Sequence, residues 1–222
     1  MRHAIDYAKY RAKYRFGKYL NLESPVDVSL ELASVCNMRC NYCYHASQDN
    51  LPFTPGIMPF DTAISIIDQS AVFGVHSLKT NWKGESTINP DFSKIVYYAK
   101  GWAGGSRFID RITNSNFKFR TDRDDIFRGL ACQTKVKVSY DSFIPDVFNK
   151  QRNGGDWDIT TRNIDKFYNH AHRIKSETKL VIQAVRTKLN KHEDLEYETK
   201  RRWPEAQISI RDMVEGQGRI QA

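Results

Sequence analysis

Apolar and polar residues alternate along short stretches of this chain. Each stretch is followed by one in which apolar residues recur every three or four positions. "VDVSLELA" (26–33) sets Val26, Val28, Leu30 and Leu32 at every second position, the period of a half-buried strand. "FDTAISIIDQSAVFG" (60–74) carries its apolar residues at helical spacing and ends on Gly74, a helix stop. The two periods then alternate to the end of the chain. Strand patterns fall within "VHSLKTNWKGES" (75–86) and at 107–113, 135–141, 179–187 and 206–213, and helical ones at 91–104, 122–131, 158–175 and 193–203. Six strands separated by five helices predict an α/β fold with a parallel sheet, because parallel neighbours need crossover connections. Such a run closes as a doubly wound sheet or as part of a (β/α) barrel, and both place ligands at the carboxyl ends of the strands.

Ahead of this alternation, residues 3–20 predict a helix. Tyr7, Tyr10 and Tyr14 recur at helical spacing, with Arg2, Lys9, Arg11, Lys13, Arg15 and Lys18 between them. The expected organisation is a basic N-terminal helical arm over 1–24 and a core domain over 25–222. The tyrosine stripe is expected to pack on the domain and leave a solvated basic face. A second reading of the arm is a binding element for RNA or an acidic leader peptide.

Composition changes this picture little. Hydrophobic residues make up 40% of the 222, enough for a core in one large domain. No run approaches the ~18 apolar residues of a membrane span, and the N-terminus lacks a signal peptide's apolar stretch. The expected location is cytoplasmic, with no membrane partner and with thiols kept reduced. The net charge of +8 favours anionic partners.

The chemistry concentrates in "CNMRCNYCYH" (36–45), which holds three of the four cysteines: Cys36, Cys40 and Cys43. Crowded thiols in a reducing compartment are expected to be ligands rather than disulfides. Three thiolates on one loop can hold three irons of a cubane cluster and leave the fourth iron open, as a reactive centre requires. With His45 the same loop offers a Cys3His zinc site, and the residues alone leave both readings open. The loop follows the first strand, on the rim that also receives "WKGES", "TNSN" and "SYDS" from the next three strands.

In spacing, and in the aromatic Tyr42 before the last cysteine, the loop resembles the signature of the radical S-adenosylmethionine (SAM) superfamily. It is similar above all to peptide and protein maturases with a SPASM extension. "WKGESTINPDF" stands where those enzymes carry a Gly-Gly-Glu-Pro segment. "TNSNFKF" resembles their Thr-Asn-Gly motif, and "VKVSYDS" their Val-Ser-Leu-Asp-Gly. "FNKQRNGGDWDITTRNI" resembles their Arg-x-Gly lead into a helix. The likeness runs from about residue 25 to 215. It implies a partial (β/α)6 TIM-like barrel holding a 4Fe-4S cluster on Cys36, Cys40 and Cys43. SAM would bind at the open iron and be cleaved by one electron from an external reductant. The resulting 5′-deoxyadenosyl radical would abstract hydrogen from a peptide or protein substrate, or alternatively from RNA. The resemblance assigns Gly84 and Glu85 to the methionine end of SAM and Tyr42 to its adenine side. Ser139, Asp141 and Arg152 are assigned to the ribose or carboxylate.

The chain also departs from that pattern. Lys83 and Ser86 replace the first glycine and the proline of the Gly-Gly-Glu-Pro segment. If the first position takes a positive φ, lysine is strained there. The sequence given stops soon after the sixth strand, at "EGQGRIQA", so the expectation is a fragment or a minimal core whose barrel a partner chain closes.

Overall fold

The computed structural model describes residues 2–19, 22–43, 54–101 and 108–213. His45, the start of the 51–59 loop and the 215–222 tail lie outside them. Six strands form one sheet: β1 (Asp27–Ser29), β2 (Ser77–Lys79), β3 (Asp110–Ser115), β4 (Lys135–Ser139), β5 (Lys179–Arg186) and β6 (Gln207–Asp212). Every neighbouring pair is parallel, and the order across the sheet is the order along the chain. A doubly wound sheet must reverse its strand order at a switch point, and this one never does. Crossovers of one hand therefore keep the helices on one face, and the twisted sheet is an arc of a (β/α) barrel.

The crossovers carry α2 (Phe60–Val72), α3 (Phe92–Lys100), α4 (Asp124–Leu130), α5 (Pro145–Gln151) with α6 (Trp157–Arg173), and α7 (Leu195–Arg202). The expected elements are present with ends shifted by a few residues, except in two places. The first strand was expected over 26–33 and pairs only over 27–29. Leu30 and Leu32 are buried all the same, in a segment bonded to the chain after it: Met58 N–H donates to the Leu32 carbonyl and Ser34 N–H to that of Gly56. Short α5 was not expected. Pro145 opens it, and six more residues follow before the turn at Gly154, whose φ is +76°.

One parity of each strand faces the helices. Leu78, Val136, Val138, Leu180 and Ile182 pack there against Ile67, Ile95, Ile126 and Phe167. Trp203 closes one end of this core. It is 1% exposed, lies edge-on to Tyr140 with ring centres 5.6 Å apart, and donates from Nε1 to Asp165 at 2.9 Å. The N-terminal helix α1 (Arg2–Phe16) is anchored differently. The expected stripe is buried at Tyr10 alone, stacked on His76 at 5.9 Å, while Tyr7 and Tyr14 are 43% and 46% exposed. Tyr14 lies over Lys79, whose side chain points away from the helix layer, so α1 rests on the concave side of the sheet near β2. Among the described residues no helix is long and apolar enough to cross a membrane.

Replacing Trp203 by alanine removes the largest fully buried side chain among the described residues and one of the donors to Asp165, which Arg202 also holds. The expected loss is about 3–5 kcal/mol in urea unfolding, and Trp203→Phe should lose less. Equal stability of wild type and Trp203→Ala would refute this account of the core.

Candidate functional site

The rim at the carboxyl ends of the strands consists of loops whose backbone N–H groups have no neighbouring strand to receive them. Carboxylates take them. Glu31 accepts from the N–H of Lys83 at 2.6 Å, Gly84 at 3.1 Å and Trp82 at 3.4 Å, drawing the loop after β2 against the segment after β1. Glu85, only 2% exposed, accepts from Thr87 through N–H and hydroxyl, from the Ser115 hydroxyl and from Asn116 N–H. Burial pushes its carboxyl up from the ordinary range, and these donors oppose that rise.

Gly84 lies between the two acids because nothing larger fits. A Cβ there would run into the Ala33 carbonyl oxygen and come within 2.6 Å of that of Val35. The requirement is close backbone approach, not an unusual dihedral. The condition for strain at Lys83 is not met: among the described residues the positive-φ residues other than glycine are Phe117 and Lys175. Lys83 follows an ordinary backbone path with its N–H on Glu31, so a lysine is accommodated where the resembling pattern has glycine.

The cysteine loop is pinned on both sides. Arg39 N–H donates to Asn153 at 2.6 Å and Asn41 N–H to Gln151 at 3.1 Å, tying the loop to the end of α5. Asn37 donates to the Lys118 carbonyl at 2.6 Å and accepts from Asn116 Nδ2 at 2.7 Å, tying it to the segment after β3. Cys40 is buried, and Cys36 and Cys43 are half-buried. Two thiols meet donors: Asn116 Nδ2 is 3.9 Å from Cys36 Sγ and Arg152 Nη1 is 3.7 Å from Cys40 Sγ. Burial, and next the charge of Glu85, push the Cys36 thiol up to about 11; burial raises Cys40 while Arg152 opposes it. Among the described residues no three His, Cys, Asp or Glu side chains are gathered as around a single ion. A cubane puts each thiolate on its own iron and asks for wider spacing. The donor set fits such a cluster: three soft sulfurs on one loop, with an amide and a guanidinium beside two of them. The Cys3His alternative depends on His45, outside the described residues.

Asp141 and Arg152 are brought together beneath this loop. Asp141 is fully buried; its Oδ1 accepts from Arg152 Nη2 at 3.0 Å and from Val185 N–H at 2.8 Å, and its Oδ2 accepts from the Tyr42 hydroxyl. Arg152 Nε lies 2.9 Å from the same Oδ2, off the line of a hydrogen bond. The Tyr42 ring sits 5.7 Å from the guanidinium carbon. Ser139 stands apart at the end of β4, with its hydroxyl 3.4 Å from Asn114 Oδ1. The rim thus gathers all six residues assigned to SAM. Sequence reasoning missed Glu31 and Asn116. Glu31 was hidden as one polar position in an alternating run, and Asn116 had a signal in the Asn-x-Asn of "TNSN".

No protein-family model matches the chain. Among curated proteins it is similar to GTP 3′,8-cyclase of Actinobacillus succinogenes, 27% identical over 148 residues, covering 65% of this chain and 41% of that protein. It is also similar to mycofactocin maturase MftC of Mycobacterium ulcerans, 24% identical over 146 residues, covering 65% and 37%. The chain therefore spans less than half the length of these relatives. Among solved structures, Streptococcus suis SuiB bound to S-adenosylmethionine superposes with a TM-score of 0.70 at 17% identity, over 95% of this chain and 46% of that one. The protein anSMEcpe with bound AdoMet and a Cp18Cys peptide gives 0.62 at 17%, over 86% and 52%.

Two substitutions separate close approach from dihedral strain. Gly84→Ala should cost about 1–3 kcal/mol, because two backbone carbonyls must move. Lys83→Gly should bring no gain and lose about 0.4–1 kcal/mol through the freer unfolded chain. Urea midpoints of both variants check this, and stabilisation by Lys83→Gly would restore the strain account.

The cysteine loop, the consecutive parallel sheet and the relatives agree: this chain carries the core fold of the radical SAM superfamily.

Proposed function

We propose that the chain is the catalytic core of a radical SAM enzyme that acts on a peptide or protein. The observation that carries this is the meeting of Cys36, Cys40 and Cys43 with Glu85, Asp141 and Arg152 on one strand rim. When bound, a 4Fe-4S cluster with SAM supplies a 5′-deoxyadenosyl radical for hydrogen abstraction. The three thiolates would hold the cluster. Arg152 places a buried positive charge beside Cys40, which favours the thiolate form and partly offsets the negative charge of a thiolate-ligated cluster.

The carboxylates of Glu85 and Asp141 are engaged by protein donors, so their part is to position others. Glu85 holds the loops after β2 and β3, leaving backbone groups around Gly84 for the methionine end of SAM. Asp141 orients Arg152 and Tyr42, whose ring supplies an apolar face for adenine. Ser139 has one long contact and is the rim hydroxyl best placed to turn to a ribose. Its partners on this reading are the substrate, an external one-electron donor, and a further segment or chain beside β6.

The peptide assignment is supported by the maturase among the relatives and by the peptide bound in the anSMEcpe structure. A nucleotide substrate is the second reading, favoured by the GTP 3′,8-cyclase relative.

Anaerobic reconstitution with iron and sulfide tests the first claim. The wild-type chain should load iron, show a visible iron–sulfur absorption and release 5′-deoxyadenosine from SAM under a chemical reductant. Cys36→Ala, Cys40→Ala and Cys43→Ala should each abolish all three, while Cys132→Ala, altered in a buried position after α4, should keep them. A colourless chain binding zinc stoichiometrically would sink the proposal.

A further inference from the structure

The side chains that do not face the helices point to the concave side of the sheet, and there the chain is cationic. The register places Lys79 on β2, Lys135 and Lys137 on β4, Lys179 at the start of β5 and Arg211 on β6 on this face. In an ordinary (β/α) barrel the same positions are filled by branched apolar residues in packed layers. The carboxylates nearby are already engaged. Asp27 pairs with Lys79 at 2.9 Å, and Asp110 accepts from the Thr134 hydroxyl at 2.5 Å. The side chains of Lys135, Lys137 and Arg211 make no hydrogen bond or ion pair with any described residue. Burial, and then the charges of Lys135, Arg211 and Lys79, lower the pKa of Lys137, with Asp110 opposing. Lys137 thus shares one space with Lys135, Arg211 and Lys79 and is partly desolvated in it without a counter-ion, a cost that a bound anion would offset.

We propose that this concave face receives an acidic segment of the peptide substrate, with Lys137 and Arg211 pairing with its carboxylates. The inference rests on the radical SAM reading of the rim and names the substrate class for it. Lys137 lies two residues before Ser139 along β4, a rise of about 6.6 Å. A carboxylate held there keeps the neighbouring peptide residues at the rim, beside the cysteine loop. The uncharged neighbours fit a peptide: Asn114, Gln183 and Ser209 offer amides and a hydroxyl to an extended backbone. No strand side chain on this face is aromatic, and the ring nearest to it, Tyr14 of α1, lies over Lys79 beside β2.

The test is fluorescence anisotropy of a short labelled peptide with a central Glu-Asp-Glu, against its Gln-Asn-Gln counterpart, titrated with the reconstituted chain. The acidic peptide should bind about tenfold more tightly, as expected for a partly buried charge pair. Lys137→Met and Arg211→Gln should each remove most of that preference. Lys191→Met, which deletes an exposed charge in the loop before α7, should keep it. Arg211 is exposed on the edge strand, so Arg211→Gln carries the test if Lys137→Met fails to fold. Equal binding of the two peptides, or a preference that survives both substitutions together, overturns the proposal. Tighter binding of a nucleoside triphosphate than of either peptide, lost in the same variants, also overturns it and gives the face to phosphates. Release of 5′-deoxyadenosine is read in the same wild-type preparation. Its absence with the peptide preference intact refutes the radical SAM reading and leaves the acidic-peptide site standing.

Discussion

A loop at the end of a parallel strand leaves backbone N–H groups with no strand to accept them, and buried donors without acceptors are costly. In this chain four carboxylates meet that constraint. Glu31 takes the N–H groups of residues 82–84, Glu85 those of Thr87 and Asn116, Asp141 that of Val185, and Glu193 that of Phe143. Apart from the bond inside the Glu85–Thr87 turn, each joins one segment of the rim to another, so neighbouring segments are tied together. The cysteine loop leans on them through Asn37 and Asn116 and through Arg152 on Asp141. Remove the carboxylates and the strands still pair, but nothing aligns the loops that present thiols, guanidinium and glycine to one another.

The same constraint accounts for the acid at position 85. Three of its donors converge on Oε1 and the Asn116 N–H holds Oε2, so the buried carboxylate is fixed in place by the loops it joins. Such acids also hold other rim groups in place. Gly84 and Arg152 are examples: the first can sit against two carbonyls only because it lacks a side chain, and the second is steered toward Cys40 by Asp141.

Much of this was legible in the sequence, for local reasons. Alternation in "KVKVSYD" and "KLVIQAVRT" reports which side chains meet the helices, and the core membership of Val136, Val138, Leu180 and Ile182 follows it. The crowding of Cys36, Cys40 and Cys43 is a local pattern too. What escaped depends on pairing across the fold. "VDVSLELA" alternates throughout, yet its second half leaves the ladder because Gly56 and Met58 take its hydrogen bonds. Glu31 looks like an outward polar position until the loop after β2 is folded over it. Lys83 drew a strain argument by analogy with glycine, and its dihedral cannot be read from residue type. The concave cations were visible as alternate positions in "KVKVSYD", but their lack of counter-ions depends on β2, β3 and β6.

Helix α1 adds a consequence of another kind. Of its tyrosines only Tyr10 is buried, against His76 outside the main core, while Tyr7, Tyr14, Lys9, Arg11, Lys13 and Arg15 face solvent. A segment with so few buried contacts opens at a small fraction of the free energy that unfolds the sheet. The molecule thus has two tiers of stability. On this reasoning the amide protons of α1 would exchange by local release and those of β3 to β5 by global unfolding, and the floor of the concave face would be uncovered while the rim above it stays assembled.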